Sequence, residues 1–555
     1  MVVVALSGCD GSGKTTLALK LEETLKMCGI KVQYRREFEY FILKHLLKLL
    51  GKKLDRERKK FLRRESSLTR FDCLKYKLWP FLVWIDSNIE MLYLKLLKKD
   101  YLMLLDRSIV DHLTGFEYLK YIDKDMRNLL LRYSIKPNLI IVLDAPPEVM
   151  YERKRETHDY RLDFYREQRE RYLDIATKLK APIVRTDKPL NESLREILQY
   201  ILLRLGKAED IVLHVLSDPL DDLGVKNFSD FLKNIDWNSL DLGYLIIEAS
   251  RNNVEFPFYE RLHSRLDNNA VRRILRIVEI KHRKFLEVLK SVAELFEGSG
   301  IDYVVFKTIP PYKYLPRDID ILVDKKDLKK AINLLISKGF RLTKTHIIHK
   351  EVSLVKDDVE VDLHWQIGWM GNRVIDEISI LRNSISYKLE DINVRVPDPT
   401  HEFLLIATHS ILQHHYITLG EVHYIRALIA RHDIDYKFVL KLANERDLYT
   451  SLAFLLLIVV VKDSLFYRSS IRERIKNINH HLKGRSVSLI KIMKPTIWID
   501  FKSFSLPPTP LNYIDMALTV YRRLRYKLTN TLPYNAPLKD IIALIESYLQ
   551  SRKRG

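Results

Sequence analysis

Gly8-Cys9-Asp10-Gly11-Ser12-Gly13-Lys14-Thr15 fits the pattern G-x-x-x-x-G-K-[ST] at every position, and its flanks give that pattern a physical meaning. Ahead of it, residues 2–6 form an unbroken apolar run rich in β-branched side chains, as a strand buried on both faces requires. Behind it, residues 16–28 read as a helix with Leu17, Leu21 and Leu25 on one face. Strand, loop and helix arrive in the order a phosphate-binding loop needs. Gly8, Gly11 and Gly13 let backbone N–H groups turn inward on phosphates, and the helix N-terminus adds positive potential. Lys14 is expected to reach the β- and γ-phosphates of ATP, and the Thr15 hydroxyl to ligate Mg²⁺. Asp10, Ser12 and Thr16 complete the expected nucleotide-binding set.

Working outward, residues 31–34, 101–105 and 139–143 are further strand-like runs. The second ends in Asp106-Arg107, the third in Asp144-Ala145-Pro146-Pro147. A carboxylate at the C-terminal end of a strand beside the loop can hold Mg²⁺ through water, the role expected of Asp106. Asp144 reads more simply as a strand-to-helix cap followed by proline. This α/β pattern predicts a P-loop parallel sheet flanked by helices over residues 1–206.

The same residues resemble thymidylate kinases. The loop 8–16, Asp106-Arg107 in place of an Asp-Arg-Tyr element, residues 137–149 (PNLIIVLDAPPEV) and the basic Arg153-Lys154-Arg155 fall in that family's order. Phe164, Arg169, Tyr172 and Ala176 follow the pattern of the helix after its lid. The resemblance implies that Asp10 contacts the acceptor sugar, that Arg36 and Arg107 hold the acceptor phosphate, and that Arg153 and Arg155 close over the transferred phosphoryl group. It also places Trp84 and Asp86, within Val83-Trp84-Ile85-Asp86-Ser87, among the acceptor-binding residues. The departures lie on the base-reading side. Ser87 stands where an arginine is usual, Ser108 replaces the tyrosine, and Phe38 replaces the proline of an Arg-Glu-Pro. A preference for thymidylate is therefore not expected.

A second constellation follows. Residues 208–300 read as mostly helical, with the longest helix over 269–297. Tyr303-Val304-Val305-Phe306 reads as a strand leading into Lys307-Thr308. In Arg317-Asp318-Ile319-Asp320-Ile321, alternate residues share a strand face, so Asp318 and Asp320 project together. Val359 to Trp365 alternates likewise, with Glu360, Asp362 and His364 on one face. Three carboxylates on neighbouring strands are what a Mg²⁺ site for nucleotidyl transfer uses. A polar sheet face is the plainer alternative. These residues resemble the polymerase-beta-like nucleotidyltransferases, closest to a branch with a Lys-Gly, an Asp-x-Asp strand and an Asp-Leu-His-Trp strand. The resemblance implies that Asp318, Asp320 and Asp362 bind metal and that Lys307 and Thr308 meet a triphosphate. Thr308 replaces the glycine of that pattern. The expected architecture is a mixed α+β nucleotidyltransferase-like core at 301–400, a helical connector at 207–300 and a helical extension at 401–555.

Composition limits the remaining choices. Hydrophobic residues make up 47% and charged residues 30%, so the chain has enough apolar surface for real cores. The net charge of +21 suits nucleotides or nucleic acid, though basic and acidic residues interleave along solvated helix faces such as 56–60 and 166–171. Arg522 to Lys527 reads the same way. Cys9, Cys28 and Cys73 form no metal or disulfide pattern, which points to a reducing cytoplasm. The apolar run 452–461 is short for a membrane span and reads as a core helix. His409, His414, His415 and His423 read as core and surface histidines rather than ligands. Partners are expected to be nucleotide substrates; nucleic acid is compatible but not required. Two rival functions stand beside the kinase–transferase reading. One is an enzyme that modifies ends of RNA or small molecules; the other is a nucleotide-binding regulatory protein with an inactive transferase half.

Overall fold

The strand-like runs around the loop close into one sheet. In this computed structural model, the described residues are 2–27, 29–36, 41–43, 70–97, 101–157, 160–220, 232, 235–266, 268–346, 350–369, 372–467, 471 and 485–499. Cys28, Phe38, residues 56–60 and the basic stretch 522–527 lie outside them, as does the side chain of Cys73.

The chain divides into two compact units. The first comprises residues 1–207 and 486–493. Its strands are β1 (Val2–Gly8), β2 (Val32–Arg36), β3 (Leu102–Asp106), β4 (Leu139–Asp144) and β5 (Ile183–Arg185), all parallel in the order β2-β3-β1-β4-β5. Every residue of β1 and β3 is buried, as their unbroken apolar runs demand. Helices cover the sheet, among them Lys14–Met27, Arg70–Leu96, Ile109–Tyr118, Leu162–Leu179 and Leu190–Leu205. Val3, Ala5, Leu105, Val142, Leu113, Tyr165 and Ile175 share one core. Because β3 lies on one side of β1 and β4 on the other, the chain leaves β1 at the point where strand order diverges, which is where open α/β sheets bind ligands. The late segment joins this unit through Val487, which bridges Ile30 in parallel, accepts from Lys31 N and donates to Gly29 O.

The second unit comprises residues 208–485 and the chain from 494 on. Its sheet runs β6-β7-β10-β9-β8, with β6 (Tyr303–Val305), β7 (Asp318–Val323), β8 (Arg341–His346), β9 (Glu351–Lys356) and β10 (Val359–His364). β7 and β10 are parallel, and the other pairs antiparallel. The long helix Asn269–Gly298 packs Phe285, Leu289, Val292 and Phe296 into the same core as Ile319, Ile321, Val361 and Leu363. The strand alternation thus sends isoleucine, valine and leucine down and the carboxylates up. Helices Pro399–Thr408, Leu419–Arg431, Tyr436–Glu445 and Tyr449–Lys462 follow within this unit. The last continues through a π turn to Tyr467, which makes it longer than the run 452–461 suggests and long and apolar enough to cross a bilayer. Of its apolar window, 78% is buried inside the fold, as in a core helix.

Candidate functional site

The first site lies at the carboxyl ends of β1, β3 and β4. Gly11 has φ +85, and a Cβ there would stand 2.5 Å from the Met150 carbonyl oxygen, so only glycine lets the loop lie this close to the neighbouring helix. Lys14, at the start of the helix, donates to the carbonyls of Gly8 and Cys9 and lies 3.8 Å from Asp10. Burial, with Arg107 nearby, holds its ammonium below the usual lysine range. Thr15 Oγ1 donates to Asp106 Oδ2 at 2.6 Å, and Tyr34 OH donates to the same oxygen at 3.0 Å. Burial, with Asp106 beside it, raises that phenol to about 12. Asp106 is fully buried. Among the described residues its Oδ1, like Ser12 Oγ, is a buried polar atom without a hydrogen-bond partner. A hydroxyl and a half-satisfied carboxylate under a glycine loop suit the oxygen-only coordination of Mg²⁺ beside nucleotide phosphates. Thr16 is exposed on the first turn.

Across the loop, Arg107 adopts φ +91 and its guanidinium donates to Asp10 Oδ1 at 2.7 Å. Against the pull of burial, Asp10 and Asp111 hold that guanidinium in its charged form. Asp111 also accepts from Gly8 N, Tyr172 OH and Ser108 N. Arg153 donates to Gly11 O at 3.1 Å and to Thr186 O at 2.7 Å, so one of the two arginines expected over the phosphoryl group reaches the loop. Arg155 faces solvent, 3.9 Å from Glu152. Arg36 ends β2, exposed and in register with Asp106. Cys9 is a free, buried thiol, pushed up to about 12 by burial.

The expected acceptor-binding pair is used differently. Both oxygens of Asp86 accept backbone N–H groups, from Phe41 at 2.6 Å, Ile42 at 2.7 Å and Leu43 at 3.1 Å. The carboxylate therefore anchors a loop instead of presenting itself to an acceptor. Trp84 Nε1 donates to Leu130 O and Ser134 Oγ, which turns the indole N–H towards neighbouring helices. Ser108, noted in the sequence as the replacement of a tyrosine, is a buried N-cap: it forms a capping box with Asp111 and pairs with Ser7 Oγ at 2.8 Å. The S-x-x-D spacing was the sequence signal for that cap. Nothing local in the sequence marked Tyr34 or Thr186, because their roles come from strands meeting.

The second site sits on β7 and β10. Asp320 pairs in register with Asp362, and Asp318 with Glu360. Burial, then the charge of Asp320, raises the Asp318 carboxyl. Burial, then Asp318, raises Asp362 to about 8. Asp320 goes the other way despite its burial, held down by Lys307 and His364. Its Oδ1 lies 2.8 Å from His364 Nε2 and its Oδ2 3.3 Å from Lys307 Nζ. Asp362 Oδ1 is, among the described residues, a buried oxygen without a hydrogen-bond partner. Mutually repelling carboxyls with an orphaned oxygen are a chemistry that a divalent cation would relieve.

One expectation in this half needs revision. The Thr308 hydroxyl donates to Phe306 O and accepts from Asp320 N, at 2.9 and 3.1 Å, with only 2% of the residue exposed. The hydroxyl is committed to the backbone of the loop and the adjoining strand. Arg317 donates to Ser250 O on the exposed surface, while Lys307 adopts φ +55 and points into the carboxylates. Glu402 was not singled out from the sequence. It accepts from Lys307 N at 2.8 Å and Tyr424 OH at 2.6 Å, and burial raises it to about 7. His423 is a core histidine, hydrogen-bonded to Ser217 and to Arg426, itself paired with Asp218 and Asp463.

Known proteins match the two regions separately. The probable thymidylate kinase of Archaeoglobus fulgidus is 29% identical over 205 residues, covering 36% of this chain and 94% of that protein. Probable thymidylate kinase 1 of Saccharolobus solfataricus is 28% identical over 210 residues, covering 36% and 96%. The crystal structure of thymidylate kinase from Ehrlichia chaffeensis aligns at 21% identity with a TM-score of 0.25, covering 36% of this chain and 98% of that one. Residues 238–461 match the model of a family described as an uncharacterised nucleotidyltransferase. The chain thus joins an N-terminal region that matches thymidylate kinases to a segment that matches this nucleotidyltransferase family.

Proposed function

We propose that the first unit transfers a phosphoryl group from Mg²⁺–ATP to a nucleoside monophosphate or a related phosphorylated acceptor. The observation that carries this reading is the Thr15–Asp106 hydrogen bond beneath a glycine loop, faced by the Asp10–Arg107 pair. Phosphoryl transfer needs position and positive charge around the moving group, with no covalent protein intermediate. Lys14 would supply that charge at the β- and γ-phosphates. Arg107, oriented by Asp10, would hold the acceptor phosphate with Arg36. Arg153, already on the loop carbonyl, would follow the γ-phosphate, with Arg155 joining from the lid. Thr15 and Asp106 would hold Mg²⁺, which supplies charge neutralisation between the phosphates when bound. A buried free thiol at Cys9 fits a reducing cytoplasm.

Thymidylate is not strongly preferred in this reading. Trp84 and Asp86 are committed to the fold, and Ser87 brings no guanidinium to a base. A site lacking its own donor discriminates weakly. Incubation with labelled ATP and a panel of nucleoside monophosphates, sugar phosphates and RNA tests this. Transfer to several monophosphates is expected; a thousandfold preference for dTMP would contradict the relaxed specificity, and no transfer at all would end the kinase reading.

For the second unit, the match and the repelling carboxyls support nucleotidyl transfer with Asp318, Asp320 and Asp362 holding Mg²⁺. Two observations favour a second reading, a nucleotide-binding regulatory role without turnover. Both oxygens of Asp320 already have cationic or donor partners, and Thr308 is spent on the backbone. Mg²⁺-dependent release of pyrophosphate from a nucleoside triphosphate, lost in Asp318→Asn with Asp320→Asn, separates the two.

A further inference from the structure

Apart from the carboxylate cluster, one group of side chains in the second unit has the geometry of metal ligands. After the helix Pro399–Thr408 the backbone widens into a π turn, His409–His414. In a regular α-helix, residues five apart diverge by about 140° around the axis, whereas i→i+5 bonding brings them towards one side. The rings of His409 and His414 accordingly lie 4.2 Å apart between centroids. Tyr416 stacks on His414 at 5.0 Å, which fixes its plane.

Glu421 faces this pair from the next helix. It is the third residue of a capping box, and its Oε2 accepts from Thr418 N at 2.7 Å and Thr418 Oγ1 at 2.8 Å. That leaves Oε1 aimed at the histidines, steadied by Ser410 Oγ at 2.9 Å. Oε1 stands 3.4 Å from His414 Nδ1 and 3.8 Å from His409 Nδ1. The three ligand atoms all lie within 4.8 Å of one another, and among the described residues no other such group of histidine, cysteine or carboxylate side chains occurs. These separations exceed an ordinary N–H···O hydrogen bond of about 2.7–3.2 Å. In a tetrahedron around an ion with bonds of about 2.0–2.1 Å the ligands stand roughly 3.3–3.4 Å apart; the His414 separation matches that edge, and the His409 one would close by a few tenths of an ångström on binding.

We propose that His409, His414 and Glu421 bind one divalent transition-metal ion of the Zn²⁺ class, with a fourth position open to water or a substrate oxygen. Two imidazoles and a carboxylate favour Zn²⁺ and its neighbours over Mg²⁺ or Ca²⁺, which take oxygen ligands. The side chains are 22%, 17% and 13% exposed, within reach of solvent yet held. His409 lies close enough to Lys307 and Asp320 for their charges to interact, so the ion would add positive charge beside the carboxylate cluster. The site stands whether or not that cluster is catalytic.

The test uses the full chain, stripped with chelator and titrated with Co²⁺ and with Zn²⁺ in excess Mg²⁺, so that all-oxygen sites are filled. Equilibrium dialysis and the visible absorption of Co²⁺ are the readouts. One tight ion per chain, undisplaced by Mg²⁺ and with the strong bands of a tetrahedral site, is expected. His409→Ala and His414→Ala should each weaken binding by more than the roughly 10–100-fold typical of losing an outer-sphere partner. Glu421→Gln keeps the helix cap, since glutamine serves in the capping box, and should still weaken binding, whereas Asp362→Asn should not. Absence of tight binding in the wild type, displacement by Mg²⁺, or unchanged binding in the histidine double variant would each overturn the proposal. If circular dichroism shows a histidine variant unfolded, the wild-type competition and Glu421→Gln decide alone.

Discussion

At the scale of single residues, charge placed out of water decides what each site does. Lys14 is the clearest case, since burial and Arg107 both press on its ammonium while the loop carbonyls retain it. Lys14→Ala should leave circular dichroism unchanged and lower ATP-dependent phosphoryl transfer by about 10³-fold or more, because electrostatic stabilisation carries most of this chemistry. Near-normal turnover by the folded variant would remove the kinase assignment. Asp362 makes the opposite case. Its carboxyl is raised to about 8 in the fold, while in the unfolded chain it titrates near the ordinary aspartate value of about 3.9. The unfolded state therefore ionises first as pH rises, and stability falls between about pH 4 and pH 8. Without divalent cations, Asp362→Asn should gain several kcal/mol over wild type at pH 8, at about 1.4 kcal/mol for each pH unit between the two values, and nothing at about pH 4. Denaturant midpoints across that range check it; a difference independent of pH would show that the carboxyl is not strained.

At the scale of elements, caps and strand ends aim these groups. The helix Ile109–Tyr118 begins on Ser108, whose capping box with Asp111 also places Asp111 against Gly8 N and Tyr172. Ser108→Ala should cost about 1 kcal/mol as a lost cap. It should also raise the KM for ATP, since Asp111 steadies the loop that would carry the nucleotide. Thermal unfolding and steady-state kinetics check the two effects, and a stability loss with unchanged KM would limit Ser108 to the helix. In the second unit the same logic runs through strands. The parallel register of β7 and β10 sets Asp320 beside Asp362, and a one-residue slip would send Asp362 into the core and Val361 or Leu363 to the surface.

At the scale of the whole molecule, the first unit is discontinuous in sequence. Val487 bridges Ile30, and Met493 packs against Gly206, though some 280 residues separate 206 from 487 in numbering. Val487, Ile492 and Met493 are buried at 2%, 0% and 1%. A fragment ending at 207 should consequently be less stable than the same unit in the intact chain, by several kcal/mol at about 1.5–3 kcal/mol for each buried apolar side chain. Urea unfolding of the fragment, with and without a supplied peptide spanning 485–499, reads this directly. Equal stability of the fragment and the intact unit would make the late segment an ornament of the fold.

What the sequence determined by itself is what short range dictates. An unbroken apolar run, a glycine loop and a periodic helix specify β1, the phosphate loop and the helix Lys14–Met27, because backbone conformation and burial there depend on neighbours a few residues away. Strand alternation likewise determined that Asp318 and Asp320 share a face. Tertiary structure decided what long range dictates. Asp86 became a loop anchor because Phe41 to Leu43 came to lie against it, and Thr308 a backbone brace because Asp320 N came within reach. His409 and His414 met Glu421 because a π turn and a capping box face each other across two helices. A side chain's chemical type is written in the sequence, but its partners follow from which distant segments burial brings together, and those partners decide whether a carboxylate or an imidazole serves the fold or a ligand.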